Sequence, residues 1–247
     1  MLRTLRTRLA PFSLAALLTL CAACSTRSIS DSGYEPRYAY GPEPGAAFYK
    51  GELDEAEVLG LDPDHLPTDA AIAHLLDQPR TDLSLLPGDR VMVVQSGAAA
   101  PDDAMVRALE QHVRVSVFSG VPLGDSASNE SGRLLRAAAA QAGTDKLLVY
   151  WGVFEGRTDT GNEKLVSWIP IVGWNLDDEE QHLRIRLRLA LVDVRTGRGE
   201  LLVPEAFSDS RSSSLIDREE SDQDQVELLK DLAYADAAAF LMERCGS

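Results

Sequence analysis

The residues able to do chemistry in this chain are few and widely spaced. Four histidines occur, His65, His74, His112 and His182. A catalytic zinc site takes about three convergent His, Asp, Glu or Cys ligands, usually beside a carboxylate base. A His-Glu-x-x-His pair on one helix would signal such a site, and the sequence contains none. His65 and His74 fall across a loop and a helix, and His112 and His182 are isolated. Each therefore reads as a surface or core histidine, with the scattered ligands of a peptidase as the alternative. Asp177, Asp178, Glu179 and Glu180 form an acidic run. It lacks the alternating Asp and Asn spacing of a calcium loop, so a solvated loop is the plainer reading. No metal and no cofactor is expected.

Two groups suit binding better than catalysis. Arg184, Arg186 and Arg188 occupy every second position of an alternating run, which puts three guanidinium groups on one face of a strand. Arginine grips carboxylates through paired hydrogen bonds. The stripe is a candidate surface for a protein partner or for peptidoglycan, and pairing with the chain's own acids is the competing reading. Trp168 and Trp174 flank the apolar stretch Ile169-Pro170-Ile171-Val172. Aromatic side chains concentrate binding energy at interfaces, so this stretch is the second candidate, against the alternative of a core strand end.

Nucleophile signatures are weaker. No Gly-x-Ser-x-Gly elbow, phosphate loop or dinucleotide fingerprint occurs. Gly124-Asp125-Ser126 resembles the nucleophile block of one esterase class, and Asp62-Pro63-Asp64-His65 has that class's acid-to-base spacing. The Asp-His pair precedes the serine instead of following it, and the other blocks are missing.

The N-terminus carries the clearest signal. Arg3, Arg6 and Arg8 make a basic start, and residues 9–23 form a mostly apolar run. A membrane-spanning helix needs roughly 20 apolar residues, so this run is too short to span and matches a signal peptide instead. Small residues then lead to a cysteine. Leu20-Cys21-Ala22-Ala23-Cys24 resembles the lipobox of bacterial lipoproteins, which implies cleavage after residue 23 and acylation of the Cys24 thiol. It departs from the usual pattern in having Cys21 where leucine is common. Ser25 follows the lipid site, as in lipoproteins sent to the outer membrane, whereas an aspartate there is the usual signal for inner-membrane retention. At about 0.8 kcal/mol per buried methylene, two or three acyl chains anchor a protein firmly.

Composition narrows the partners. The chain has 24 basic and 39 acidic residues, a formal charge of −15. Loss of residues 1–23 removes three arginines and no acid, which takes the charge to −18. Such a chain repels nucleic acid and anionic headgroups, so neither is an expected partner. With Cys24 acylated, only Cys245 is left, so no internal disulfide forms and stability must come from a core. Cys245 sits so near the C-terminus that it is expected to be frayed and inert.

These residues need a scaffold. Residues 24–50, with Tyr-Glu-Pro-Arg-Tyr-Ala-Tyr-Gly-Pro-Glu-Pro-Gly, show no helical or strand period and read as a lipidated cysteine and flexible tether. Residues 51–87 read as a loop-rich lead-in with one short helix, capped by Thr68 and striped by Ile72, Leu75 and Leu76. One domain is expected over 88–247. Arg90 to Ser96, Val113 to Phe118 and Lys146 to Glu155 read as buried strands. Between them fall a helix after Asp102 and Asp103, with Met105, Leu109 and His112 on one face, and a helix from Arg133 to Ala142. The second helix should bury Leu134, Leu135, Ala138, Ala139 and Ala142 and stop at Gly143. Lys164 to Val172, His182 to Val194 and Glu200 to Phe207 read as antiparallel strands. A final helix carries Val226, Leu229, Ala233, Ala237 and Phe240. The order β-α-β-α-β-β-β-β-α predicts an α/β fold of α+β character, a mixed sheet with helices packed on it.

That order resembles the small domain of the curli-secretion lipoproteins and of the lipoprotein activators of peptidoglycan synthases. Closer is a group of proteobacterial envelope lipoproteins, similar through Gln95-Ser96-Gly97, Ser119-Gly120-Val121-Pro122, Tyr150-Trp151-Gly152, Val166-Ser167-Trp168-Ile169-Pro170, Arg184-Ile185-Arg186-Leu187 and Val192-Asp193-Val194. Some chains of that look carry an aminopeptidase label. The resemblance implies an envelope lipoprotein; the lack of a catalytic motif, the two candidate surfaces and Ser25 lead to the expectation of an outer-membrane lipoprotein whose periplasmic domain binds another envelope component without catalysis. A hydrolase, perhaps a metallo-aminopeptidase, is the alternative, and a self-assembling secretion component is the second. A homo-oligomer fits either interaction reading, although only residues 182–194 alternate over a length useful for a barrel wall.

Overall fold

Long apolar runs and one strict alternation set up a sheet around two extended strands. The computed structural model describes residues 25–31, 49, 51–61, 66–77, 83–120, 131–159, 179–213 and 218–246. In chain order the elements are β1 (Ser25–Ser28), a 3-10 turn (Ile29–Asp31), α1 (Glu55–Val58), α2 (Asp69–Asp77), β2 (Arg90–Gln95), α3 (Asp103–Glu110), β3 (Arg114–Val117), α4 (Ser131–Gln141), β4 (Lys146–Asp159), β5 (Glu179–Asp193), β6 (Gly199–Leu202), β7 (Phe207–Ser213) and α5 (Arg218–Cys245).

The seven strands among the described residues form one open mixed sheet in the order β3-β2-β4-β5-β6, with β1 also on β4 and β7 also on β5. β2 runs parallel to β3 and to β4. β4 and β5 are antiparallel from the Lys146–Asp193 pair to the Asp159–Glu180 pair. Each long strand is flanked by two short ones laid end to end. β2 and then β1 follow β4, and β6 and then β7 follow β5. The fold is α/β with α+β character, as the order of apolar runs predicts.

Helices cover both faces. Met105 and Leu109 of α3 and Val226, Leu229, Ala233 and Leu241 of α5 pack on Val91, Val93, Leu148 and the leucines of β5. On the other face Val58 of α1 and Leu135 and Ala139 of α4 pack on Met92, Val94, Leu147, Val149, Ala190 and Val192. β5 records where the second layer stops. Ile185, Leu187, Leu189 and Leu191 are buried along one face, while the other face passes from exposed Arg184, Arg186 and Arg188 to buried Ala190 and Val192.

Several expectations are corrected. In α4, Leu135 and Ala139 take the buried stripe, and Leu134 (58% exposed) and Ala142 face solvent. A short helix on a sheet buries only a narrow stripe, so neighbouring residues cannot all face inward. The strand expected over Glu200 to Phe207 is two strands, β6 and β7, separated by 203–206. Pro204 lies in the gap, where it has no N–H to give a ladder. Cys245 is buried, not frayed. Its carbonyl accepts from the Leu85 N–H at 2.6 Å, and burial pushes its thiol pKa up. The strand expected over Lys164 to Val172 lies outside the described residues.

The largest difference is at the start. Ser25–Ser28, read as the beginning of a tether, pair antiparallel with β4 from Ser25–Gly156 to Ser28–Val153, and Ile29 is 3% exposed. The lead-in also belongs to the fold, since Leu53, Val58 and Leu85 are buried in the two cores. A polar strand such as Ser-Thr-Arg-Ser has no apolar period to reveal it; backbone pairing with a free edge holds it in place.

Candidate functional site

Ligands of open α/β sheets bind beyond the carboxyl ends of parallel strands, where consecutive helices leave to opposite faces. Here that place lies beyond Gln95, with α3 on one face and α4 on the other. It is filled by the chain's own N-terminal segment. The Ser30 hydroxyl donates to the Ser96 carbonyl at 2.5 Å and accepts from Gln95 Nε2 at 3.1 Å. The Leu53 N–H donates to Ser96 Oγ at 2.7 Å, and Trp151 Nε1 donates to the Leu53 carbonyl at 2.9 Å. Ser28 Oγ donates to Glu52 Oε1.

A second layer of the network joins this crevice to α5. The Tyr150 hydroxyl donates to Gln95 Oε1 at 2.5 Å, and the Asp102 N–H donates to the same oxygen at 2.7 Å. The Asp102 carboxylate accepts from the Tyr234 hydroxyl at 2.6 Å and from Lys230 Nζ at 2.8 Å, both on Oδ2. Asp102 stands at the cap position of α3, yet its side chain makes no capping bond; it is turned to α5 instead. The Tyr150 and Tyr234 rings meet edge to face at 5.9 Å. Burial, reinforced by the Asp102 charge, raises both phenol pKa values well above the usual tyrosine value. Both therefore keep their protons at neutral pH and serve as donors rather than bases.

Two glycines make room for the segment. A Cβ on Gly152 would lie 2.7 Å from two carbons of Ile29 and 2.9 Å from one of Leu187. A Cβ on Gly97, which sits at φ +75°, would lie 2.8 Å from the Tyr49 ring. Gln95-Ser96-Gly97 and Tyr150-Trp151-Gly152 are thus the receiving surface for the residues after the lipid site. Sequence reading found these two motifs by resemblance but not their partners. Ser30, Asp102, Lys230 and Tyr234 carry no local pattern that would reveal them; the one apolar residue in this polar stretch, Ile29, is the signal that sequence reading passed over.

The other predicted residues are dispersed. Cys24, Trp168, Trp174, the Gly124-Asp125-Ser126 block, Asp177 and Asp178 lie outside the described residues, as does His65. Arg184, Arg186 and Arg188 are exposed along β5. Arg186 pairs with Glu155 at 2.7 Å and Arg188 with Glu55 at 2.5 Å, so two of the stripe's three charges are met within the protein. His74 is exposed on α2 and His112 is half-buried after α3. Among the described residues, no three His, Cys, Asp or Glu side chains are grouped to hold a metal, and no helix is long and apolar enough to cross a membrane. Sequence reading also underrated α2. Thr68 caps it as expected, accepting from the Ala71 N–H at 3.3 Å, but among the described residues nothing covers the apolar stripe. Leu66 is 82% and Leu76 80% exposed, beside exposed Ile72 and Leu75.

The network is a structural latch in the sheet of an envelope lipoprotein. Residues 54–244 match the YafT bacterial lipoprotein family, and the chain belongs to that family. It is accordingly a lipoprotein anchored to a membrane of the bacterial envelope. No curated protein matches the chain. Among solved structures it is similar to the hypothetical protein CT253 from Chlamydia trachomatis, at 12% identity and a TM-score of 0.30, over 63% of this chain and 98% of that one. It is also similar to a PelC variant from Paraburkholderia phytofirmans, solved as a dodecamer, at 16% identity and a TM-score of 0.24, over 64% of this chain and 95% of that one. At such scores neither likeness carries a functional argument.

Proposed function

We propose that this chain is an outer-membrane lipoprotein, cut before Cys24 and acylated there, whose periplasmic domain binds another envelope component and catalyses nothing. The observation that carries the non-catalytic reading is positive. The crevice where such sheets hold substrates is filled by Ser30 and Leu53, and its tyrosines are committed as donors to Gln95 and Asp102. The binding reading is supported by the uncovered leucines of α2 and by exposed Arg184. Contiguous exposed apolar surface marks protein contacts, so the occupant proposed for α2 is an envelope protein. Trp168 and Trp174 remain the second candidate surface. Ser25, rather than aspartate, after the lipid site supports the outer membrane.

The test is photo-crosslinking in living cells from a reactive amino acid at Leu76 of the lipidated protein. One envelope protein, identified by mass spectrometry and lost in a Leu75→Asp variant, is the expected result. Capture of nothing, together with stoichiometric zinc and turnover of peptide substrates by the purified protein, overturns the proposal in favour of a hydrolase. Capture of this chain alone overturns it in favour of self-assembly. In parallel, fatty-acid labelling should be lost in Cys24→Ala.

A further inference from the structure

The lipid site is followed at once by a strand of the sheet. We infer that the protein has no tether between lipid and sheet: the bilayer holds the domain flush against itself, at the end of the β4–β5 pair where Asp159 lies opposite Glu180. This rests on acylation of Cys24. Ser25 pairs with Gly156, and the Cα of residue 24 is one peptide step of about 3.8 Å away. β1 runs antiparallel to β4, so its start points to the same end as Asp159. β4 continues three residues past Gly156, about 10 Å at the rise of a strand. Anchor and strand end therefore meet one surface, the lipid headgroups.

The attachment is built to hold. Ile29 is buried against Gly152, Ser30 is bonded to Gln95 and Ser96, and Lys230 Nζ lies 3.5 Å from the Ile29 carbonyl. A pull on the acylated residue is thus transmitted to the sheet. The opposite end is the turn after Asp193, where Arg198 donates to the Leu75 carbonyl of α2. Nine residue steps along β5 separate Arg184 from Asp193, about 30 Å. The apolar face of α2 is consequently presented away from the membrane, toward the periplasm.

The experiment uses full-length acylated protein in phosphatidylethanolamine–phosphatidylglycerol vesicles containing nitroxide-headgroup lipid. Fluorophores are placed singly at Ser208→Cys, opposite Arg184 in the sheet, and at Arg195→Cys, beyond Asp193; both positions are exposed, and native Cys245 is buried. Quenching several-fold stronger at 208 than at 195 is expected. Ile29→Ser, which loosens β1 and leaves α5 and the main sheet intact, should bring the two signals together while circular dichroism stays unchanged. A free tether of about 25 residues spans roughly 25–30 Å and would give equal quenching at both positions in the parent protein. That result, in protein that floats with the vesicles, overturns flush docking while leaving acylation intact. Protein that does not float overturns acylation and flush docking together.

Discussion

Replacing Asp102 by alanine tests whether the latch between α3, α5 and the sheet is energetic or incidental. Asp102 Oδ2 accepts from the Tyr234 hydroxyl and the Lys230 ammonium, and the pair is only partly solvated, with 15% of the lysine and 27% of the aspartate side chain exposed. Alanine strands a buried phenol proton, a loss of about 1–3 kcal/mol. It also leaves a mostly buried cation without its counter-ion. Loss of one partner of a fully buried pair costs about 3–5 kcal/mol, and the remaining solvent contact reduces that share here. Because the carboxylate makes no capping bond to α3, no helix-cap term is added. The expected total is about 3 kcal/mol. For a domain of this size that lowers Tm by roughly 6–12 °C, at about 2–4 °C per kcal/mol. Asp102→Asn keeps an acceptor for Tyr234 and should lose about half as much. Urea denaturation of the two variants, and of a double-mutant cycle with Lys230→Met, is the assay. A coupling of about 1–3 kcal/mol is expected. A loss for Asp102→Ala within about 0.5 kcal/mol, the range of an ordinary surface change, or strict additivity in the cycle, would refute the reasoning.

Two further outcomes follow from close packing and from pH. Gly132→Ala should destabilise by about 1–3 kcal/mol, because its Cβ would overlap the Glu57 carbonyl oxygen where α4 passes α1; denaturant midpoints measure it, and a neutral result would mean that α1 moves freely. Burial works to raise the carboxyl pKa of Asp193, but hydrogen bonds from the Thr196 N–H and hydroxyl and from Lys146 outweigh it and leave the pKa depressed. A depressed folded pKa contributes stability above the ordinary carboxylate pKa of about 4, and that stability is lost as pH falls through the folded value. Asp193→Asn should therefore be less stable than the parent at neutral pH, with the gap closing in acid; a gap independent of pH would sink that account.

Where side-chain pattern and burial coincide, the sequence was readable. Val91 to Val94 and Leu147 to Trp151 are unbroken apolar runs because helices cover both faces of the sheet there. The strict alternation from Ile185 to Leu191 was readable because only one face of that stretch packs on α5. Legibility failed where backbone pairing, not side-chain chemistry, holds an element. β1 has four polar residues, and nothing local distinguishes it from a tether. It failed again at α2, whose stripe of Ile72, Leu75 and Leu76 has the period of a packed helix, although among the described residues no partner layer covers it.

The sequence by itself determined the class of the molecule. A basic start, a short apolar run and a cysteine after small residues are local patterns along the chain, so the lipoprotein reading needs no fold, and the match to a lipoprotein family agrees with it. It also determined the order of the central strands and helices, because burial imposes a period of two or of 3.6 on each element separately. Only the tertiary structure decided what Gln95, Ser96, Asp102, Tyr150, Lys230 and Tyr234 do together. Their hydrogen bonds join residues as much as 132 positions apart, and each polar group needs its partner only once water has been excluded. The same exclusion of water turned Ser28, Ile29 and Ser30 from an apparent linker into part of the folded domain.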